Sequence, residues 1–114
     1  MGRPYLFVLA LLAACTRGPD DDLQYIKQAR SLAAEWALVN EQAQSGALTG
    51  TYVSAMHSWL HDGLLTASSS LSQPNSPYGA EIRALLAAPP DAAPTILRSH
   101  GEALKKIEDE LESA

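Results

Sequence analysis

Apolar residues recur every three or four positions along most of this chain, which is the period of an amphipathic α-helix. The first such pattern covers roughly residues 21–45, starting in Asp20-Asp21-Asp22 and ending at Ser45-Gly46. Its apolar stripe consists of Ile26, Ala29, Leu32, Ala33, Trp36, Val39 and Ala43. We expect one of the three aspartates to cap this helix and the others to lie at the positive end of its dipole.

A second helix is predicted to start at Thr49-Gly50-Thr51 and to be followed by a loop that is rich in Ser, Asn and Pro. Its inner face is formed by Val53, Met56, Leu60, Leu64, Ala67 and Leu71. Gly63 lies inside this pattern, and glycine costs about 1 kcal/mol relative to alanine in a helix. This position therefore allows a local bend.

Two more helices complete the pattern. A short one begins at Ser76-Pro77, a cap followed by a proline suited to the first helical position, and Pro89-Pro90 stops it. A fourth helix is predicted to be capped by Asp91, with acidic residues in its last turn that oppose the helix dipole and should fray that end. Its stripe consists of Leu97, His100, Leu104, Ile107 and Leu111.

The sequence therefore predicts an all-α fold, because no stretch of four or more residues alternates with the period of a strand. Three long helices and one short helix fit a small antiparallel bundle. At this size, and without a disulfide, we expect ordinary stability.

The amino end has a different pattern. Arg3 precedes an uncharged apolar run, Tyr5 to Leu12, which is followed by small residues. Eight residues rise only about 12 Å as a helix, far less than the hydrocarbon core of about 30 Å. The segment therefore has the proportions of a secretory signal and not of a membrane span.

Leu12-Ala13-Ala14-Cys15 directly follows this run and resembles the lipobox of bacterial lipoproteins. The resemblance implies that the sulfur of Cys15 receives a diacylglyceryl group, that the chain is cut before Cys15, and that the new amino terminus is usually acylated with a fatty acid such as palmitate. It divides the chain into a signal peptide (1–14), a lipidated cysteine with a short tether (15–22) and a helical domain (23–114). The alternative is a buried Cys15 in an N-terminal core helix.

The residue after Cys15 is Thr16 and not Asp. By resemblance to Gram-negative lipoproteins, this favours an outer-membrane location facing the periplasm. In a Gram-positive host the same signal would place the protein on the outer face of the plasma membrane.

Charge and cysteine content exclude some functions. The chain has 8 Lys and Arg against 13 Asp and Glu, a formal net charge of −5, which disfavours nucleic-acid binding through phosphate contacts. Its single cysteine rules out an internal disulfide and a Cys-based zinc site.

Two histidines in the second helix, His57 and His61, are spaced to point to one side. Such a pair can share a transition metal, with Asp62, His100 or Glu102 as candidates to complete the site. The zincin motif is absent because no Glu follows His57. We favour two solvated histidines without a bound metal or other cofactor, and a His100 packed at the core edge with one nitrogen hydrogen-bonded.

No catalytic constellation can be assembled from these residues. The serines at positions 68–70 lack the glycines of a nucleophile elbow, and the tryptophans and tyrosines Trp36, Trp59, Tyr52 and Tyr25 are expected in the core or along a groove. The favoured hypothesis is a non-enzymatic, membrane-anchored module that binds an envelope protein or stabilises an envelope assembly. The alternative is a periplasmic metal- or small-ligand-binding protein using His57, His61 and possibly His100; an enzyme or inhibitor comes third.

Overall fold

A computed structural model describes residues 19–114 of the chain as a bundle of four helices. They are α1 (Pro19–Gln44), α2 (Gly50–Ser69), α3 (Pro77–Ala87) and α4 (Pro94–Glu112). The described part contains no strand, so the prediction of an all-α bundle with three long helices and one short helix is confirmed. The expected signal peptide and Cys15 lie outside the described residues.

The central element is α1, which packs against all three other helices. Its largest interfaces are with α4 and α2, which do not contact each other, and α3 packs against both. The buried apolar residues are Ile26, Ala29, Leu32, Ala33, Trp36, Ala37, Val39, Leu60, Leu64, Ala67, Tyr78, Ile82, Leu85, Ala92, Leu97 and Leu104. Within residues 19–114, no helix combines the length and apolarity needed to cross a bilayer.

Both ends of α1 follow from local sequence, although its start lies earlier than predicted. The helix begins at Pro19, so the residues expected to end the tether form its first turn and all three aspartates lie at its positive end. At the other end, Gly46 has a φ of +75°, a conformation that glycine adopts without steric cost. The Gly46 N–H donates to the Ala43 carbonyl and the Ala47 N–H to the Gln42 carbonyl, which closes the helix as a Schellman motif.

Gly63 does not interrupt α2, which is continuous from Gly50 to Ser69. A Cβ at this position would lie 2.9 Å from Cδ1 of Leu32 in α1. The glycine therefore allows α1 and α2 to approach closely. The packing gained in this way outweighs the low helix propensity of glycine.

The starts of α3 and α4 differ in how well they were predicted. Ser76 caps α3 as expected, with its hydroxyl accepting from the Gly79 N–H. The prediction that Asp91 caps α4 is wrong, because α4 begins at Pro94, with Ala93 as a cap residue that makes no side-chain bond. A proline disfavours helical dihedrals in the residue before it, so the helix cannot start earlier.

At its acidic end, which we expected to fray, α4 is helical to Glu112. Glu108 is buried and its Oε1 accepts from Nε of Arg30 at 2.7 Å. Glu112 pairs with Lys27 at 3.0 Å. Cations from α1 thus compensate the acids that oppose the dipole of α4.

The second charged side chain in the interior is Asp22, which is fully buried. One carboxylate oxygen accepts from the Ser72 N–H at 2.7 Å and the Ser72 hydroxyl at 2.9 Å. The other accepts from the Gln73 N–H at 3.0 Å and the Tyr78 hydroxyl at 2.7 Å. We call Asp22, Ser72, Gln73 and Tyr78 the Asp22 clasp. It connects the first turn of α1 to the α2–α3 connection, about 50 residues away in sequence. The Asp22 carboxylate therefore bonds to this distant segment instead of capping its own helix.

The Asp22 clasp shifts the pKa values of both its acidic members. Burial by itself raises the pKa of Asp22, but the bonds from Ser72, Tyr78 and Gln73 outweigh it and hold that pKa below its ordinary value of 3.8. Burial, together with the bond to the carboxylate, raises the pKa of Tyr78 to about 12. The clasp therefore stabilises the ionised aspartate and the neutral phenol.

We expect Asp22→Asn to lower the free energy of unfolding by about 3 kcal/mol, because an amide nitrogen cannot accept from the donors it would face. Tyr78→Phe removes one of the four bonds and keeps the ring, so its cost should be about 1.5 kcal/mol. Urea unfolding followed by circular dichroism measures both. Equal stability of the wild type and Asp22→Asn would show that the clasp does not hold the fold.

The stability should also depend on pH through Asp22. Because its pKa is lower in the folded chain than in the unfolded chain, its contribution is present above about pH 4 and is lost as the pH falls through the lowered folded value. Unfolding free energies measured from pH 6 down to pH 2.5 should therefore decline more in the wild type than in Asp22→Asn. Parallel curves for the two proteins would contradict this assignment.

Candidate functional site

A groove of about 370 Å³ lies on one side of α2, between this helix, α1 and the α3–α4 connection at residues 88–93. We call it the histidine groove. It is lined by Trp36, His57, Ser58, His61, Asp62, Ala88 and Pro90. Its volume is within the range of small-ligand sites, and two of the three sequence-predicted histidines contribute to it.

One wall of the groove, the α3–α4 connection, is fixed by two side chains of α1. Nε1 of Trp36 donates to the Pro90 carbonyl at 2.9 Å. The amide nitrogen of Asn40 donates to the Pro90 carbonyl at 3.0 Å and to the Ala92 carbonyl at 2.8 Å. These bonds satisfy carbonyls that no helix pairs, so a proline-containing connection packs firmly against the bundle.

Asn40 also determines which nitrogen of His57 carries hydrogen. Since the Asn40 amide nitrogen faces two carbonyls, its Oδ1 must face His57, where it lies 2.7 Å from Nε2. An amide oxygen only accepts, so Nε2 of His57 is the donor. In the neutral ring, Nδ1 then holds the lone pair, and no hydrogen bond to Nδ1 is found among residues 19–114.

His57 and His61, for which the sequence predicts the same environment, have different environments in the structure. His61 is exposed, as expected of a solvated side chain, whereas His57 is half-buried and bonded to Asn40. The expectation that both are simply solvated is therefore wrong for His57. Asp62 is exposed and lines the same groove.

The remaining candidate ligands lie elsewhere. His100 is half-buried, and its Nδ1 lies 2.7 Å from Oε2 of Glu81 in α3. This fits the expected histidine at the core edge with one nitrogen bonded. Glu102 lies on the opposite side of α1, beside Arg30 and Lys105, so neither His100 nor Glu102 lines the histidine groove.

Another group of carboxylates is already close together in the described chain. Oxygens of Glu108, Asp109 and Glu112 lie within 4.8 Å of one another. Each, however, is paired with a cation: Arg30 with Glu108, Lys105 with Asp109 and Lys27 with Glu112. This group is therefore explained as an ion-pair network. One of its members, Glu108, is buried in the bundle.

The aromatic residues also divide into two groups. Trp36 is buried as expected and Tyr25 is half-buried. Tyr52 and Trp59 do not pack in the core, because their exposed fractions are 49% and 56%, and neither lines the histidine groove. Both lie about 90° around α2 from its buried face at the helical period of 3.6 residues, on a flank that leaves them open to solvent.

Asn40 could not be recognised from the sequence, although it fixes both the α3–α4 connection and His57 in the histidine groove. Its only signal is a polar residue next to the apolar stripe of α1. We expect Asn40→Ala to cost about 2–3 kcal/mol, because it removes three bonds and leaves the Ala92 carbonyl unpaired, while Trp36 still donates to the Pro90 carbonyl.

Hydrogen exchange at the Ala92 amide, which donates to the Pro89 carbonyl, reports on the α3–α4 connection directly. This amide should exchange faster in Asn40→Ala than in the wild type under conditions where both are folded. Unchanged protection would mean that the connection holds its place without Asn40.

Comparison with protein-family models, with curated proteins and with solved structures found no match to this chain. What the protein does is therefore inferred from its own residues.

Proposed function

We propose that this protein is a bacterial lipoprotein, anchored to an envelope membrane through Cys15, whose helical domain binds an envelope protein without catalysing a reaction. The anchor is supported by the sequence Leu12-Ala13-Ala14-Cys15 after a short apolar run. Because Thr16 follows the cysteine, we propose an outer-membrane location facing the periplasm in a Gram-negative host.

The position of α1 supports this arrangement. Only three residues separate Cys15 from Pro19, so the first turn of α1 lies within about 14 Å of the lipid-bearing residue. The helix has 26 residues and is therefore about 39 Å long. The Asp22 clasp lies at the end near the anchor, and Asn40 with the α3–α4 connection lies at the far end.

The binding surface is proposed on α2, and the carrying observation is its exposed aromatic face. Tyr52 and Trp59 are two turns apart on the same flank, with exposed Ala55 between them; we call these three residues the aromatic strip. Asp62 is the only Asp, Glu, Lys or Arg in the 20 residues of α2. In contrast, eight of the 19 residues of α4 are of these types.

Exposed aromatic side chains on a surface with little charge are typical of protein interfaces, where Trp and Tyr contribute much of the binding energy. Single exposed apolar residues need no explanation. A tryptophan and a tyrosine in register on the least charged long helix are a better match to an interface than to a solvated surface.

The anchor is tested with Cys15→Ala. We expect the wild-type protein to be cleaved before Cys15 and found in the membrane fraction of its host. The variant should keep its signal peptide, because the lipid-dependent cleavage needs the thiol. Cell fractionation and an antibody against the helical domain measure this. An identical distribution and size of the two proteins would contradict the anchor.

The binding surface is tested by replacing Trp59 with a photo-crosslinking phenylalanine derivative in intact cells. We expect one crosslinked product of defined mass with an envelope protein, and a weaker yield when Tyr52→Ala is added. The matched control carries the same crosslinker at Lys106, an exposed position of the highly charged α4. Failure to crosslink at position 59, or the same products from both positions, would contradict the aromatic strip as the interface.

A further inference from the structure

The opposite flank of α2 carries a different set of side chains. His57 and His61 lie about 60° and 100°, respectively, around the helix from buried Leu60, in the direction away from the aromatic strip. Both line the histidine groove together with Asp62. Two imidazoles and a carboxylate within six consecutive residues are a donor set that suits a borderline transition metal such as Zn²⁺.

We propose that His57, His61 and Asp62 bind a divalent transition-metal ion, with Nδ1 of His57 as the fixed ligand and Asn40 as the residue that orients it. The histidine groove, open to solvent, leaves room for water as a further ligand. This site is independent of the proposed function, because it uses neither the lipid anchor nor the aromatic strip.

The state of His57 carries the proposal. A histidine that binds metal through one nitrogen nearly always donates its other N–H to a nearby acceptor, which fixes the tautomer and the ring orientation. Nε2 of His57 donates to Asn40 Oδ1 at 2.7 Å, and Asn40 is itself held by the carbonyls of Pro90 and Ala92. The ring is thus held on one side and presents a lone pair at Nδ1 on the other.

The other two ligands are free to move. His61 and Asp62 are exposed, and no side-chain hydrogen bond or ion pair restrains either within the part of the chain that the structure describes. His61 lies one turn after His57, the spacing at which two imidazoles on a helix reach one ion. The donor atoms of the three side chains do not all lie within 4.8 Å of one another, so metal binding requires His61 and Asp62 to turn toward Nδ1 of His57.

The acidic group Glu108, Asp109 and Glu112 is the competing site. Its oxygens are already close together, but Arg30, Lys105 and Lys27 compensate their charge. A metal there would have to displace these cations, and three carboxylates suit a hard cation better than Zn²⁺.

Titration of the purified full chain, without a histidine tag, with ZnCl₂ in a calorimeter tests the site. We expect one Zn²⁺ per chain and at least tenfold weaker binding by His61→Gln, which changes an exposed side chain and should leave the fold intact. His100→Gln is the matched control and should leave the affinity within about twofold, as should Glu112→Gln. Absence of binding, equal loss in His100→Gln, or loss in Glu112→Gln alone would overturn the proposal.

The role of Asn40 has its own readout in the nitrogen NMR spectrum of the His57 ring. Zn²⁺ should shift the resonance of Nδ1, while Nε2 keeps its hydrogen and its bond to Asn40. Loss of the hydrogen from Nε2 on Zn²⁺ binding would show that the metal takes the nitrogen that we assign to Asn40, and would overturn this part of the proposal.

Discussion

The carboxylate of Asp22 lies out of contact with water and depends on four donors from one connection and the start of one helix. A buried charge without such partners would cost several kcal/mol, so the chain has one favourable way to place α1 against the α2–α3 connection. This placement bears on the rest of the bundle, because α1 contacts every other helix. Throughout residues 19–114, each buried side-chain polar atom has a partner.

Asn40 and Asp22 have the same structural role at opposite ends of α1: each bonds a connection between two other helices. Both are polar residues of a largely apolar helix face, and both bind connections that would otherwise lie loosely on the bundle. The connection bound by Asp22 contacts the end of α1 that is nearer in sequence to Cys15, and the one bound by Asn40 forms a wall of the histidine groove. One helix thus relates the proposed membrane attachment to the groove. On the side of the bundle formed by α2, the two flanks of this helix carry aromatic residues and histidines, respectively.

Much of this fold could be predicted from local sequence, because periodicity and end signals act over a few residues. Gly46 and Ser76-Pro77 mark the helix ends that the structure has. The partners of Asp22 and Asn40 could not be predicted, since their bonds join residues about 50 positions apart. Likewise, the bond between His57 and Asn40 joins α2 to α1, so the position of His57 on its own helix could not predict it. The spacing of His57 and His61 identifies them as a pair, but it does not predict the bond to Asn40 that only His57 makes.

The proposed anchor on Cys15 would distinguish a membrane-near end of α1 from a far end, and the intact mass of the protein extracted from its host membrane tests this anchor most directly. We expect a chain that starts at Cys15 and is heavier than residues 15–114 by a diacylglyceryl group, with or without a further fatty acid on its amino group. A mass that includes Met1, or an unmodified chain recovered free of membranes, would contradict this account.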